Sequence, residues 1–479
     1  MNSLLYPFGK ETIGTINNTL HDLQVDGIVR YVYVDKGKQE KILNILSDIL
    51  LDEETIKYRQ SVLRDMMYNR NIYYGLSKQS QDLDKCYADY NASRSARAKI
   101  KVKSEMELSE TTMMLKDYAH DILKLIEIYR RLYELFRNHG PSSAGLKELF
   151  KKVSDKVNNP YIEKLEKEMN NILNQGGAYA FSTNLDDKLL PVDDKFILCS
   201  GKYTGEKITL FRRKEESGKV DLNSKVQEDF KRIIIDSFNR VIVIVEDIFE
   251  SLYENISYFS TEFIFFEFAN SVYDTLGERR IDCVFPEISK DTEYVNAKDL
   301  YLAMKYQYEG YSSPIFGNHI IINENESLLV VGSNNTGKTV LLRTIGINQV
   351  FFQNGLFVIG DKASVAIRDN VTTIFSGEEK DTDVGGRFEK EVIDIKEIID
   401  KVDNHSLVII NEIFLNKRIR GGIPRGISPR LEGGANAARG EARRVRFALY
   451  EFFARKLHNH SAVGRGRNET VVFFRGDTR

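Results

Sequence analysis

The residues with the clearest chemical content are Gly332-Ser333-Asn334-Asn335-Thr336-Gly337-Lys338-Thr339, a complete GxxxxGK[ST] spacing. Glycines at these positions let the backbone curl until successive N–H groups converge on one anion. A lysine and a hydroxyl residue then open a helix, whose N-terminus adds partial positive charge. The chemistry this predicts is the cradling of a nucleoside triphosphate. Lys338 would bridge the β- and γ-phosphates, and Thr339 would offer its hydroxyl to Mg²⁺. The plainer alternative is a glycine turn that holds nothing.

A phosphate loop of this kind needs an acid on a neighbouring strand. Ser406–Glu412 supplies one, as four apolar residues followed by Asn411-Glu412. Glu412 at the end of that strand could polarise an attacking water. Asn411 stands where an aspartate commonly orders the Mg²⁺ shell, and a neutral amide holds that ion less strongly than an anionic oxygen. The competing reading is a core strand that ends in a solvated acid. A third segment, Asp383-Val384-Gly385-Gly386-Arg387-Phe388-Glu389-Lys390-Glu391, reads on pattern alone as a turn feeding a helix with acids in its first turn.

The elements that must position these residues have a strand–helix alternation. Ile320–Ile322, Ser327–Val331, Leu356–Ile359, Thr372–Phe375 and Leu407–Ile410 are short β-rich runs. Helical patterns lie between them at Thr339–Gln353 and Phe388–Val402. The expectation is an α/β layer with a largely parallel sheet.

Upstream the texture is helical. Ser104 and Glu107 have capping-box spacing, and Leu115, Tyr118, Ile122, Leu125, Tyr129, Leu132 and Phe136 recur every three or four residues until Gly140-Pro141. Val226, Phe230, Ile233, Phe238, Val241, Val245, Ile248 and Leu252 repeat the theme, and Phe263–Leu276 continues it. These stripes read as core packing, with no chemistry assigned to them. Residues 178–219, with Pro191 and several glycines, read as a small strand-containing insertion. The expected fold class is α + α/β, with a long-helix core and lever region over 1–300. An incomplete P-loop α/β ATPase domain would follow over 301–414, and then an atypical tail over 415–479.

Composition narrows the classes. Hydrophobic residues are 42% and charged residues 29%, so the chain is neither disordered nor fibrous. Cys86, Cys199 and Cys283 have no paired spacing, which argues against a disulfide scaffold or a cysteine zinc site and fits a reducing cytoplasm. The longest purely aliphatic run, Val241–Val245, is far short of a membrane span, and Met1–Lys10 lacks the pattern of a signal peptide. The formal net charge of −2 hides an asymmetry. Residues 1–414 hold 35 Lys and 18 Arg against 65 acids, whereas residues 415–479 hold 2 Lys and 13 Arg against 5 acids.

Together these motifs resemble the MutS DNA mismatch repair family. Gly332–Thr339 followed by Leu342-Arg343 and Gly346, then Gly355, is similar to that family's GPNxxGKST and LRxxG pattern, with Asn334 matched. Gly386–Glu391 is similar to its GRSTFxxE stretch and Ser406–Glu412 to its SLVLLDE. Ile56 with Arg59-Gln60 resembles the start of its helical core. Asn184–Pro191 resembles a segment of members that lack the front end, and residues 20–414 are the extent of the resemblance. The resemblance implies ATP and Mg²⁺ as cofactors, with a site formed by Gly332, Ser333, Asn334, Asn335, Thr336, Gly337, Lys338 and Thr339. Glu412 and Lys338 would be catalytic, and Thr339 and Asn411 would lie on the metal side. Phe316–His319, including Asn318, would lie on the adenine side. It also implies a cytoplasmic homodimer with composite ATP sites, Arg387 and Glu389 reaching the neighbouring subunit's nucleotide, that clamps double-stranded DNA in repair or recombination.

Two departures qualify that inference. The mismatch-reading domain has no counterpart ahead of the helical core, so mismatch specificity does not carry over. Phe388-Glu389 and Asn411 replace residues of the family pattern, and after Phe414 the expected Ser/Thr turn, helix and Thr-His strand are replaced by Arg/Gly/Ala-rich sequence. That change of texture reads as a reading-frame slip or a joined segment, with disorder expected. The alternative is a basic extension that contacts phosphates. Two other functions stay open: a nucleotide-gated scaffold that does not hydrolyse ATP, and a P-loop ATPase acting on a partner other than DNA.

Overall fold

The computed structural model describes residues 3–7, 16–102, 108–174, 224–323, 327–331, 336–375, 405–411 and 469–474. Packing divides the chain into two compact units, Asp65–Phe263 and a second made of Met1–Arg64 with Ile264–Arg479.

The Asp65–Phe263 unit is helical throughout its described residues. It holds α5 (Arg70–Val102), α6 (Leu108–His139), α7 (Ala144–Val157), α8 (Pro160–Asn174) and α9 (Ser224–Glu254). At 33 residues, α5 is about 50 Å long. All seven apolar positions of the stripe from Leu115 to Phe136 are buried, as the helical period requires. α6 packs against each of the others, and aromatic rings fill the seam. Tyr90 of α5 stacks on Phe249 of α9 with centroids 3.9 Å apart. Two buried tyrosines of this seam find partners for their polar tips. Tyr129 donates to the Leu252 carbonyl at 2.8 Å, and Tyr118 donates to Glu246 at 2.7 Å, beside the half-buried Arg97–Glu246 pair.

The other unit carries the strands. Its helices are α1 (Asn17–Asp22), α2 (Val25–Val32), α3 (Lys36–Ser47), α11 (Leu300–Tyr308) and α12 (Lys338–Gln353), with parts of α4 (Glu53–Tyr68) and α10 (Ser257–Glu278). One sheet has the order β5 (Ser327–Val331), β10 (Glu469–Phe474), β9 (Ser406–Asn411), β8 (Asn370–Phe375). A second has the order β2 (Glu287–Ile288), β7 (Lys362–Val365), β3 (Thr292–Ala297), β4 (Asn318–Ile322), and β1 (Cys283–Val284) pairs with β6 (Val358–Ile359).

The run from 224 to 276 is helical, as its spacing predicts, and divides into α9 and α10 where the backbone turns at Asn255-Ile256. Two expectations change. Strands β1–β3 lie inside the stretch read as mainly helical: β1 and β2, of two residues each, are too short to show a period, and the six residues of β3 break strict alternation in the burial of their side chains. The described sheets are not largely parallel. Only β8–β9 and β2–β7 are parallel pairs, and the other described pairings are antiparallel.

The cause in the first sheet is β10. It comes from the Arg/Gly-rich tail, where the family's final strand was expected to be missing, and it runs antiparallel between β5 and β9. Glu469 registers with Val331 and Val471 with Ile410. Two strands separated by one gap offer two open backbone edges, and a β-branched and aromatic run such as Thr470–Phe474 satisfies both. The insertion over 178–219, the helix over 388–402 and the capping box at Ser104 lie outside the described residues.

Helix α12 is the centre of this unit. From Thr344 to Gln353 every residue is buried, and Thr344, Gln349 and Gln353 find internal partners for their polar side chains. Gln349 donates to the Ala366 carbonyl at 2.9 Å, and Gln353 donates to the carbonyls of Leu50 and Arg368 at 2.8 and 2.9 Å. Asn354 donates to the Leu46 carbonyl at 3.1 Å. Arg59, 0% exposed, donates through Nε to the Leu5 carbonyl, with its guanidinium over the rings of Tyr6 and Phe265. The far end of α12 is thereby tied to α3, α4 and the first residues of the chain.

Candidate functional site

Strand β5 ends at Val331, directly before Gly332, and α12 begins at Lys338. Gly337 is the N-cap of α12 with φ of 90°, a left-handed conformation that a side chain would strain. Leu341 donates to the Gly337 carbonyl at 2.9 Å, which starts the helical ladder. Lys338 follows with 7% exposure, and Thr339 lies on the exposed side of the first turn.

The second element is β9, buried at all six positions. Its apolar residues Leu407–Ile410 fill the core, and its last residue, Asn411, arrives at the start of α12. There the Thr339 hydroxyl donates to Asn411 Oδ1 at 3.3 Å. Thus the structure brings together two residues 72 positions apart that the sequence placed on the metal side. Two oxygens side by side, both neutral, are a donor set suited to a hard divalent ion that takes oxygen ligands and keeps several waters. They hold it without the charge that a carboxylate would add. A helix N-terminus lies at the same place.

Other expected residues fall differently. Asn318 is the exposed first residue of β4, in the second sheet, and no described hydrogen bond joins it to Thr339 or Asn411. Nearby Phe316 is 81% exposed, an aromatic face open to solvent. His319 pairs with Glu293 at 3.2 Å, and that bond with the Lys362 charge holds the Glu293 carboxyl below its ordinary range. Thr336 is described and exposed. Gly332, Ser333, Asn334, Asn335, Glu412, Arg387 and Glu389 lie outside the described residues.

One feature beside this site carried no role in the sequence. Arg343, one helical turn beyond Thr339, makes a two-pronged ion pair with Asp299, at 2.8 and 2.9 Å. Asp299 also caps α11, accepting from the Leu302 amide at 2.6 Å. The Arg343 guanidinium lies 4.7 Å from the centroid of the Tyr301 ring. Tyr301 in turn neighbours Tyr31 of α2, whose phenol donates to Glu309 at 2.9 Å. Burial and that bond raise the Tyr31 phenol well above its ordinary range, so it stays a donor. The available signals were the N-cap pattern at Asp299 and the four-residue step from Thr339 to Arg343. Neither names its partner.

Comparison with known proteins bears on both units. Residues 51–276 match the MutS2 N-terminal domain, and residues 328–423 match MutS domain V. The second match extends beyond Phe414, the expected end of the resemblance. Proteins named Endonuclease MutS2 from Streptococcus pneumoniae strains Hungary19A-6 and CGSP14 and from serotype 19F strain G54 are each 32% identical to the chain over 88 residues. Those residues are 18% of this chain and 11% of each relative. Among the described residues, no helix is long and apolar enough to cross a membrane.

Proposed function

Because this chain is a MutS-related protein, we propose that it binds ATP and Mg²⁺ at Gly332–Thr339 and couples its nucleotide state to closure of a homodimeric clamp of long helices around double-stranded DNA. The observation that carries the reading is the Thr339–Asn411 hydrogen bond at the N-terminus of α12. A P-loop reading requires a helix-opening hydroxyl and the end of a neighbouring strand to share one point, and these two do.

Each residue then has a task. The amides of the Gly332–Gly337 segment hold the phosphate oxygens, and Lys338 neutralises charge between the β- and γ-phosphates. Thr339 and Asn411 orient the water shell of the metal side. Glu412 holds the attacking water and takes its proton. Bound Mg²⁺–ATP supplies the electrophilic phosphorus and the cationic charge that offsets its oxygens. Phe316, with Asn318 beside it, offers a flat face to the base, and Arg387 and Glu389 reach the neighbouring copy's nucleotide. The cleavage activity in the relatives' printed name is theirs.

Isothermal titration of the full chain with Mg²⁺–ATP tests the reading. Binding by the unmodified protein and its loss in Lys338→Ala is the expected result, and unaltered affinity in that variant overturns it.

The neutral amide of Asn411 favours a second reading, a nucleotide-gated scaffold without turnover. Steady-state phosphate release with and without DNA separates the two. Turnover that vanishes in Glu412→Gln, with nucleotide binding kept, eliminates the scaffold. Absence of DNA retention at low salt favours an ATPase acting on another partner.

A further inference from the structure

We propose that Arg343 and Asp299 form a positioning pair that sets the nucleobase edge of the site against its phosphate edge. The inference rests on the nucleotide reading above and adds to it the means by which the two halves of the ligand are registered.

The Asp299 side chain is 0% exposed and that of Arg343 is 12% exposed. Burying two charges is expensive, and a well-packed apolar pair would hold two helices together at least as well. What an apolar pair lacks is direction. A guanidinium fork on a carboxylate fixes distance and orientation at once, through two parallel bonds. The pair therefore fixes register between α11 and α12 in addition to joining them.

The elements it registers are the two edges of the site. Arg343 sits four residues after Thr339 on α12, so it lies on the same helix face one turn from the phosphate end. Asp299 is the N-cap of α11. α11 leads through residues 309–317 to β4, and this connection carries Phe316 and ends at Asn318. The connection is itself pinned, since Arg279 donates to the carbonyls of Tyr311 and Ser313 at 3.0 and 3.4 Å. One helical turn leads from Thr339 to Arg343, the ion pair crosses to Asp299, and α11 with the chain that follows it leads on to the exposed Phe316 ring. If the pair loosens, α11 and the segment behind it lose their register with α12, while Gly337, Lys338 and Thr339 keep their own backbone.

This separates two affinities. A ligand with a base needs both edges, and a bare triphosphate needs one. The experiment is isothermal titration of the full chain with Mg²⁺–ATP and, separately, with Mg²⁺ and inorganic tripolyphosphate. Three proteins are compared: unmodified, Arg343→Lys and Asp299→Asn. Asparagine caps a helix as well as aspartate does, so Asp299→Asn removes the charge and keeps the cap. Lysine keeps the charge and removes the fork.

The expected result is about a tenfold loss of ATP affinity in each variant, with tripolyphosphate affinity unchanged within about twofold. The double variant is expected to be no weaker than either single one, since both remove one interaction. An equal loss for both ligands overturns the proposal, because the pair would then be a general support of the fold. No loss for either ligand also overturns it. Failure of the unmodified protein to bind either ligand is a different outcome, for it overturns the nucleotide reading itself and the pairing role with it. If Arg343→Lys fails to fold, by circular dichroism and thermal melting, Asp299→Asn alone decides.

Discussion

At the residue scale, the point of greatest chemical consequence is Asn411. Its amide oxygen accepts from Thr339 where a carboxylate would add a formal charge. Mg²⁺ prefers hard anionic oxygens, so Asn411→Asp is expected to lower the Mg²⁺ concentration needed for nucleotide binding, by about tenfold. A titration of Mg²⁺ against a fluorescent ATP analogue measures this. An unchanged Mg²⁺ requirement would take Asn411 away from the metal side. Lys338 makes a separate prediction at the same scale: on the proposed nucleotide reading, loss of its charge is expected to abolish nucleotide binding whatever the metal concentration.

At the element scale, α12 is held at both ends, and its far end supplies the sharper test. Gly355 follows this helix with φ of +72°, and a Cβ there would sit 2.6 Å from Arg59 Cβ and 3.2 Å from the Ile56 carbonyl. Arg59 Cβ belongs to a buried side chain near its backbone root and cannot swing away. Gly355→Ala is therefore expected to cost at least about 2 kcal/mol, combining left-handed strain with overpacking. Urea unfolding monitored by circular dichroism reads it, and a change below about 0.5 kcal/mol would contradict the packing. Gln353→Leu makes a second element-scale prediction of about 1–3 kcal/mol, measured in the same way. It leaves the Leu50 and Arg368 carbonyls buried without this donor.

At the scale of the whole molecule, the tail matters through β10. Its backbone pairs with both β5 and β9. A chain ending at Phe414 would leave those two strands with open edges in the middle of a sheet, which invites association between copies. Higher-order species on size-exclusion chromatography are the expected outcome for that truncation. A monodisperse product would remove β10 from the account of stability. The basic charge of residues 415–479 then need not be a nucleic-acid contact. Weak salt dependence of any difference in DNA binding between full and truncated chains would fit the structural role.

Local patterns determined much of this protein. The seven-residue stripe of α6, the span of β5 and the start of α12 followed from periodicity and from a motif whose parts are adjacent along the chain, and the family followed from the resemblance of several such segments to a known pattern. The Thr339–Asn411 neighbourhood was also implied, since that motif carries its own requirement for a second strand. Tertiary structure alone decided the rest. The partner of Arg343 lies 44 residues upstream, and no local period encodes that choice. The Arg59 seat needs Leu5, Asn354 and two aromatic rings from separate segments. The direction of β10 was equally hidden, because a strand's side-chain alternation reads the same both ways along the chain. Only the edges it meets determine whether it runs parallel or antiparallel.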